Sequence, residues 1–117
     1  MVVTIDTEEK CLLIYPRPDW DDIQRRVEDL PSFNAVTRRV QRLLIGHATD
    51  VQMDASGRVL LTPPLRAYAN LDKKGILIGQ GKKMELWDES VWNSKRDSWV
   101  EEGQGIGIPE ELAGLSL

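Results

Sequence analysis

The sequence predicts an α+β fold built around two copies of one small unit. Three observations predict it. Short aliphatic and β-branched runs occur in pairs around polar turns, as strands of hairpins do. Each pair is followed by an acidic residue and a segment that begins with tryptophan and continues with helical periodicity. Tyr15 and Trp20 of the first group reappear as Trp87 and Trp92 of the second, both at an offset of 72 residues.

Taken in order, Val2 to Ile5 forms the first strand, Asp6 to Lys10 a polar turn, and Cys11 to Tyr15 the second strand. Cys11 is the only cysteine. That rules out an internal disulfide and a zinc knuckle, and its apolar neighbours mark it as a small core residue. Pro16 and Pro18 stop the strand. Asp19 is the expected N-cap of a helix from Trp20 to Leu30, with Asp21 and Asp22 at the end where the helix dipole favours negative charge. Trp20, Ile23, Val27 and Leu30 mark its apolar face. Pro31 breaks the chain, and Ser32 or Asn34 can cap a second helix. There Val36, Val40, Leu43 and Leu44 form the buried stripe, Arg38, Arg39 and Arg42 lie mostly off it, and Gly46 is the expected stop.

Ala48 to Met53 reads as a strand, Asp54-Ala55-Ser56-Gly57 as a tight turn, and Arg58 to Leu61 as the returning strand. The aspartate can accept hydrogen bonds from backbone amides of the turn, and Gly57 can take a positive φ with no Cβ to clash. Pro63-Pro64 opens a short helix over Leu65 to Leu71. Gly75 to Gly79 and Met84 to Trp87 make a further hairpin around residues 80–83, and Glu89 or Ser90 starts a helix carrying Trp92 and Trp99. From Gly103 periodicity fades, leaving a loose tail with a short turn near Pro109 to Leu115. Within the repeat, Leu12 corresponds to Met84, Ile14 to Leu86, and Ile5 to Ile78. Asp54 precedes Ile78 by 24 residues, so its counterpart in the first copy would fall about twenty residues before Met1. The chain is therefore expected to begin inside a repeat, with the first copy incomplete.

A net charge of −4 conceals a strong division. Residues 1–32 carry four basic and eight acidic groups, residues 33–83 nine basic and three acidic, and residues 84–117 two basic and eight acidic. A basic middle between acidic flanks can present one positive face on an acidic protein, as nucleic-acid binding requires. Catalysis has little support. His47 is the only histidine and stands apart from any serine or cysteine arranged as a triad. No His or Cys pair has metal-ligand spacing, and Gly103-Gln104-Gly105-Ile106-Gly107 follows no strand and runs into Pro109, unlike a phosphate loop. Neither a cofactor nor an enzymatic activity is expected. No apolar run reaches the length of a membrane span, so no membrane partner is expected either.

Several segments resemble a known family. Residues 1–6, Cys11-Leu12-Leu13-Ile14-Tyr15-Pro16, the stretch from Arg38 to Ala48, and Glu85-Leu86-Trp87-Asp88-Glu89 are closely similar to MraZ proteins of gammaproteobacteria, and so is the ending Leu115-Ser116-Leu117. Asp54-Ala55-Ser56-Gly57-Arg58 resembles the D-x-x-x-R motif of the AbrB/SpoVT superfamily. The resemblance implies a swapped-hairpin (double-split) β-barrel with flanking helices, its first repeat incomplete here. It implies a remnant of the first repeat at 1–18, connecting helices at 19–47, the second repeat at 48–91, and a C-terminal helix and tail at 92–117. It further implies a cytoplasmic, nucleoid-associated repressor, assembled as a ring-shaped homo-oligomer. Such a protein binds double-stranded DNA at repeated promoter boxes of the division and cell-wall gene cluster. Arg58 would then contact phosphate or a guanine edge, held by Asp54, Ser56 and Gly57, while Arg38, Arg39 and Arg42 would face DNA or another subunit. The competing expectation is an oligomerising protein-interaction subunit without useful DNA binding. An antitoxin-like module with a toxin-holding tail is less well supported, because the tail offers few apolar anchors beyond Ile106, Ile108 and Leu112.

Overall fold

The computed structural model describes residues 1–115; Ser116 and Leu117 of the family-like ending lie outside the described residues. Five antiparallel strands form one sheet: β1 (Val2–Ile5), β2 (Leu12–Tyr15), β3 (Thr49–Asp50), β4 (Gly75–Gln80) and β5 (Lys83–Asp88), in the order β3-β1-β2-β5-β4. Helices α1 (Arg17–Glu28), α2 (Ala35–Val40), α3 (Pro63–Tyr68) and α4 (Glu89–Gly103) flank it. The architecture is α+β, as expected, and the sheet is open.

The two expected hairpins, β1–β2 and β4–β5, join through their second strands. Leu12 pairs with Leu86, Leu13 with Glu85 and Ile14 with Met84. Leu12 corresponds to Met84 in the repeat and Ile14 to Leu86, so exchanging the two copies maps this ladder onto itself about the Leu13–Glu85 pair. That is the signature of an isologous contact, here within one chain. Each copy sends its second strand into a helix, and the aromatic pairs recur: Tyr15 and Trp20 have centroids 5.9 Å apart, Trp87 and Trp92 5.6 Å.

Alternation along the strands gives the sheet two faces. On one, Val3, Ile5, Leu12 and Ile14 pack with Val51, Leu65 and Ala69 beneath α3 and the segment that precedes it. On the other, Val2, Leu13 and Tyr15 pack under Trp20 and Ile23 of α1 and under Leu44 and Ala48. Trp87 extends this second face and meets Trp92 and Trp99 of α4 edge-on, at 5.6 and 5.8 Å. Cys11 is fully buried, as expected of a core residue, and loss of solvation pushes its thiol pKa up to about 12.

Several boundaries differ from the sequence reading. Helix α1 starts at Arg17, with Pro16 as its N-cap and Asp19 inside its first turn. The first turn has no N–H that needs an intrahelical partner, so Pro18 fits there without loss. The helix ends before Leu30, which is 45% exposed, so of the expected stripe only Trp20 is fully buried and Ile23 and Val27 are partly so. Asn34 caps α2 through the Val36 amide, but Val36 itself is 65% exposed. After Val40 the helix widens into a π turn, Gln41–Ile45, in which the Gly46 amide reaches the Gln41 carbonyl at 3.2 Å. This wider turn swings Leu43 towards one core cluster and Leu44 towards the other. A Cβ on Gly46 would lie 2.1 Å from the Arg42 carbonyl oxygen, so the winding needs glycine there. Helix α3 is shorter than expected and begins on the two prolines themselves. The strands expected at 48–53 and 58–61 shrink to β3 and a single Met53–Val59 bridge. β3 pairs only with Val2 and Val3, and beyond Val51, whose amide bonds the Met1 carbonyl at 3.0 Å, the described residues offer no strand to continue the ladder.

Candidate nucleic-acid interface

The turn at Asp54 to Arg58 is held by its own aspartate. Asp54 Oδ1 accepts the backbone amides of Ser56 at 2.9 Å and Arg58 at 2.8 Å, and Oδ2 accepts Arg58 Nε at 2.9 Å. Two backbone bonds close the loop, Gly57 N–H to the Asp54 carbonyl at 3.0 Å and Asp54 N–H to the Arg58 carbonyl at 2.8 Å. Gly57 has φ +80°, which only glycine takes without strain. The Arg58 amide bond, together with the Arg58 guanidinium and the Ser56 amide, holds the Asp54 carboxyl below its ordinary pKa. The acceptor role and the positive φ are both as the sequence predicted.

Arg58 is the chemically distinctive group. Its side chain is 79% exposed, and Asp54 engages Nε alone. Among the described residues the two terminal nitrogens have no hydrogen-bond partner. They leave an exposed, bidentate donor edge suited to a phosphate or to guanine O6 and N7. Asp54, Ser56, Gly57 and Arg58 are thus brought together in one hydrogen-bonded turn.

The other arginines stand on a different element. Arg39 and Arg42 are exposed on α2 and the π turn, while Arg38 Nη1 donates to the Ser32 carbonyl at 3.0 Å and so fastens the start of its own helix. No hydrogen bond or ion pair joins these three to the Asp54–Arg58 turn among the described residues. His47 donates through Nδ1–H to the Leu43 carbonyl at 2.8 Å, a contact at the end of the π turn.

Three contacts that position the turn were not evident in the sequence. Arg17, at the start of α1, forms a short ion pair with Asp50 and so ties α1 to β3. Thr4, with no exposure at all, donates its hydroxyl to the Leu44 carbonyl at 2.6 Å, where the π turn gives way to β3. Tyr68 of α3 donates to the Asp6 carbonyl at 2.6 Å while Lys10 Nζ sits 4.4 Å over its ring, joining α3 to the first hairpin turn. The only signal for Thr4 was a hydroxyl inside an otherwise aliphatic strand.

Among the described residues, no helix is long and apolar enough to cross a membrane. A family model described as MraZ protein, whose description also carries the term antitoxin-like, matches the chain twice, over residues 1–43 and 44–102. Each match contains one hairpin and the helix that follows it. The full length of the chain is similar to the transcriptional regulator MraZ of Coxiella burnetii, with 54% identity covering 78% of that relative. It is equally similar to the protein of the same name from Alkalilimnicola ehrlichii, at 54% identity and 78% of the relative, and from Legionella pneumophila (strain Paris), at 55% and 78%. With the whole chain aligned at this identity and the family model matched over both hairpin units, this chain belongs to the MraZ family.

Proposed function

We propose that this chain is a DNA-binding transcriptional regulator, not an enzyme, and that the Asp54–Arg58 turn is its point of contact with DNA. The observation that supports the contact most directly is the Arg58 guanidinium, aimed by Asp54 with its terminal nitrogens free. Asp54, Ser56 and Gly57 hold the turn, and Arg58 meets phosphate or a guanine edge. Arg39 and Arg42 add charge on a separate element facing DNA or a neighbouring subunit, and Arg38 braces that element.

A single such turn gives weak binding on its own. Repeated promoter boxes therefore call for several turns on one assembly, which a ring-shaped homo-oligomer supplies by raising the effective concentration of each next contact. In this reading the turn and the strands around it, residues 48–91, act as the second repeat of a swapped-hairpin barrel. Residues 1–18 belong to the first repeat, 19–47 connect the two, and 92–117 form the C-terminal helix and tail. The DNA is double-stranded, at boxes of the division and cell-wall gene cluster, which places the protein at the cytoplasmic nucleoid. The relatives' shared name, transcriptional regulator, supports the class of activity.

Fluorescence anisotropy on DNA carrying several boxes tests the site. Arg58→Ala should weaken binding by about 1–3 kcal/mol, roughly 5- to 150-fold. Arg17→Ala should have a smaller effect, because Asp50 and Asp21 already engage that charge. Equal losses from the two would remove Arg58 from the contact, and wild-type binding insensitive to added salt would remove phosphate contact altogether.

A further inference from the structure

Resting on the Asp54–Arg58 turn as the DNA contact, we propose that Gln52 and Leu60 read one T·A base pair beside it, Leu60 against the thymine methyl group and Gln52 on the adenine edge. The Met53–Val59 bridge fixes the register of the two arms of the turn. In an antiparallel pair this register sets Gln52 opposite Leu60 and Asp54 opposite Arg58, and the Asp54 amide accordingly bonds the Arg58 carbonyl at 2.8 Å. Side chains alternate along each arm, so Gln52, Asp54, Arg58 and Leu60 share one face, and Met53 and Val59 take the other.

The two faces are occupied differently. Val59 and Leu61 pack against the core cluster of Val3, Ile14 and Leu65, and Met53 lines an apolar cleft of about 250 Å³ with Val59 and Met84. Leu60 stands between two core-facing residues and is itself 87% exposed. On its face a separate hollow of about 380 Å³ is lined by Gln52, Asp54, Arg58, Val59 and Leu60. Gln52 is exposed, and its side-chain amide has no hydrogen-bond partner among the described residues. Asp54 is engaged by Arg58 Nε and two backbone amides, so the groups left to meet a ligand are the arginine's terminal donors, a primary amide and an apolar side chain. These match the major groove, which is about 12 Å wide and admits a two-stranded ribbon. There thymine offers a methyl group, and the adenine of the same pair offers N7 and N6 to a glutamine amide. As cross-strand neighbours, Leu60 and Gln52 have Cβ atoms roughly 5 Å apart, close enough to meet both halves of one pair. Leu60 follows Arg58 along the strand by roughly 6.6 Å, about two base-pair steps of 3.4 Å. A contact to phosphate alone would need neither the amide nor the leucine at this place.

Fluorescence anisotropy at low salt, on a single-box duplex with one group altered at a time, tests the proposal. Each thymine is replaced in turn by deoxyuridine, which lacks only the methyl group, and each adenine by 7-deazaadenine, which lacks the N7 acceptor. At one thymine wild type should lose affinity about fourfold, the worth of one buried methyl-sized group. Leu60→Ala, weaker on the unmodified box, should lose nothing further there. At the adenine paired with that thymine, 7-deazaadenine should weaken wild type roughly fivefold, the worth of one hydrogen bond, and should leave Gln52→Ala unchanged. Wild type indifferent to every deoxyuridine would overturn the proposal, whatever the variants do. Losses of equal size in wild type and Leu60→Ala at every thymine would also overturn it and make Leu60 a packing residue. Methyl and N7 effects confined to different base pairs would overturn the shared reading of one pair. Arg58→Ala separates this proposal from the contact beneath it. If that variant weakens binding while both couplings are absent, only base reading by Gln52 and Leu60 falls; if it binds like wild type, the contact at the turn falls as well.

Discussion

The hydroxyl of Thr4 is expected to carry a measurable share of the stability of the join between sheet and helices. Thr4 is fully buried on β1, and its Oγ1 donates to the Leu44 carbonyl at 2.6 Å. That carbonyl belongs to the π turn, where the regular ladder has lapsed, and the Ala48 amide bonds the Ile45 carbonyl instead. Thr4→Val keeps the shape and the strand preference but removes the donor, so a part-buried carbonyl loses its partner. Such an orphan costs about 1–3 kcal/mol, and the slightly more apolar methyl group offsets only part of it. For a domain of this size, roughly 3–6 °C in melting temperature accompanies each kcal/mol. Thr4→Ser is the control: it keeps the donor and deletes one methyl, a loss of about 0.5–1.5 kcal/mol. Urea unfolding followed by tryptophan fluorescence should therefore rank wild type above Ser and Ser above Val, with no change in the denaturant slope. Val as stable as wild type, with Ser the weaker variant, would mean that only packing matters at this position.

Gly46→Ala should destabilise by more than an ordinary helix-end substitution, because its Cβ would fall 2.1 Å from the Arg42 carbonyl oxygen; circular-dichroism melts unchanged from wild type would show that the π turn is not required. Native Cys11 should resist thiol labelling at pH 8, since burial raises its pKa to about 12, and should react fully in denaturant; rapid stoichiometric labelling of the native chain would contradict its burial. Asp88 caps α4 through the Val91 amide, and the Ser90 hydroxyl, with that amide, holds its carboxyl below the ordinary value of 3.8. Because the folded value lies below the unfolded one, its stabilisation is complete above the ordinary value and is lost as pH falls through the folded value. Asp88→Asn should therefore flatten the acid limb of the stability curve below about pH 4 while leaving the neutral plateau near its original height; an unaltered acid limb would show that the cap does not titrate with folding.

Local chemistry was legible wherever one residue decides one feature. Asp54 and Gly57 announced the turn, Ser32 or Asn34 the cap of α2 (which Asn34 supplies), and Cys11 its place in the core, because each outcome depends on atoms within a few positions in sequence. The aromatic offsets disclosed two hairpin-plus-helix units, although not that they meet through β2 and β5. Features governed by distant partners were not legible. Asp19 looked like a cap, but Pro16 and Pro18 are compatible with a helix start and the chain begins α1 earlier. Val36 lay on a well-spaced stripe yet faces solvent, because α2 lasts six residues before the π turn shifts the phase of everything after it. The strands expected on either side of Asp54 are nearly absent, since a strand needs a neighbour as well as a pattern. Arg17 carried no sequence signal at all, because its partner Asp50 lies 33 positions away.

The paired hairpins also bear on how the proposed contact can be tested. The β2–β5 ladder puts the similar halves at the centre of the sheet, where Leu12, Leu13 and Ile14 are buried and can vary little without loss of packing. Outside β1 the chain continues through β3 to the Asp54–Arg58 turn, so the proposed donor is carried at a margin, on an exposed side chain. Replacing that side chain should therefore leave the fold almost untouched, because an exposed ion pair contributes little to stability. Arg58→Ala should reduce DNA affinity while the urea midpoint of the free protein stays close to that of wild type. A midpoint that falls together with the affinity would mean that Arg58 supports the turn and not a contact with DNA.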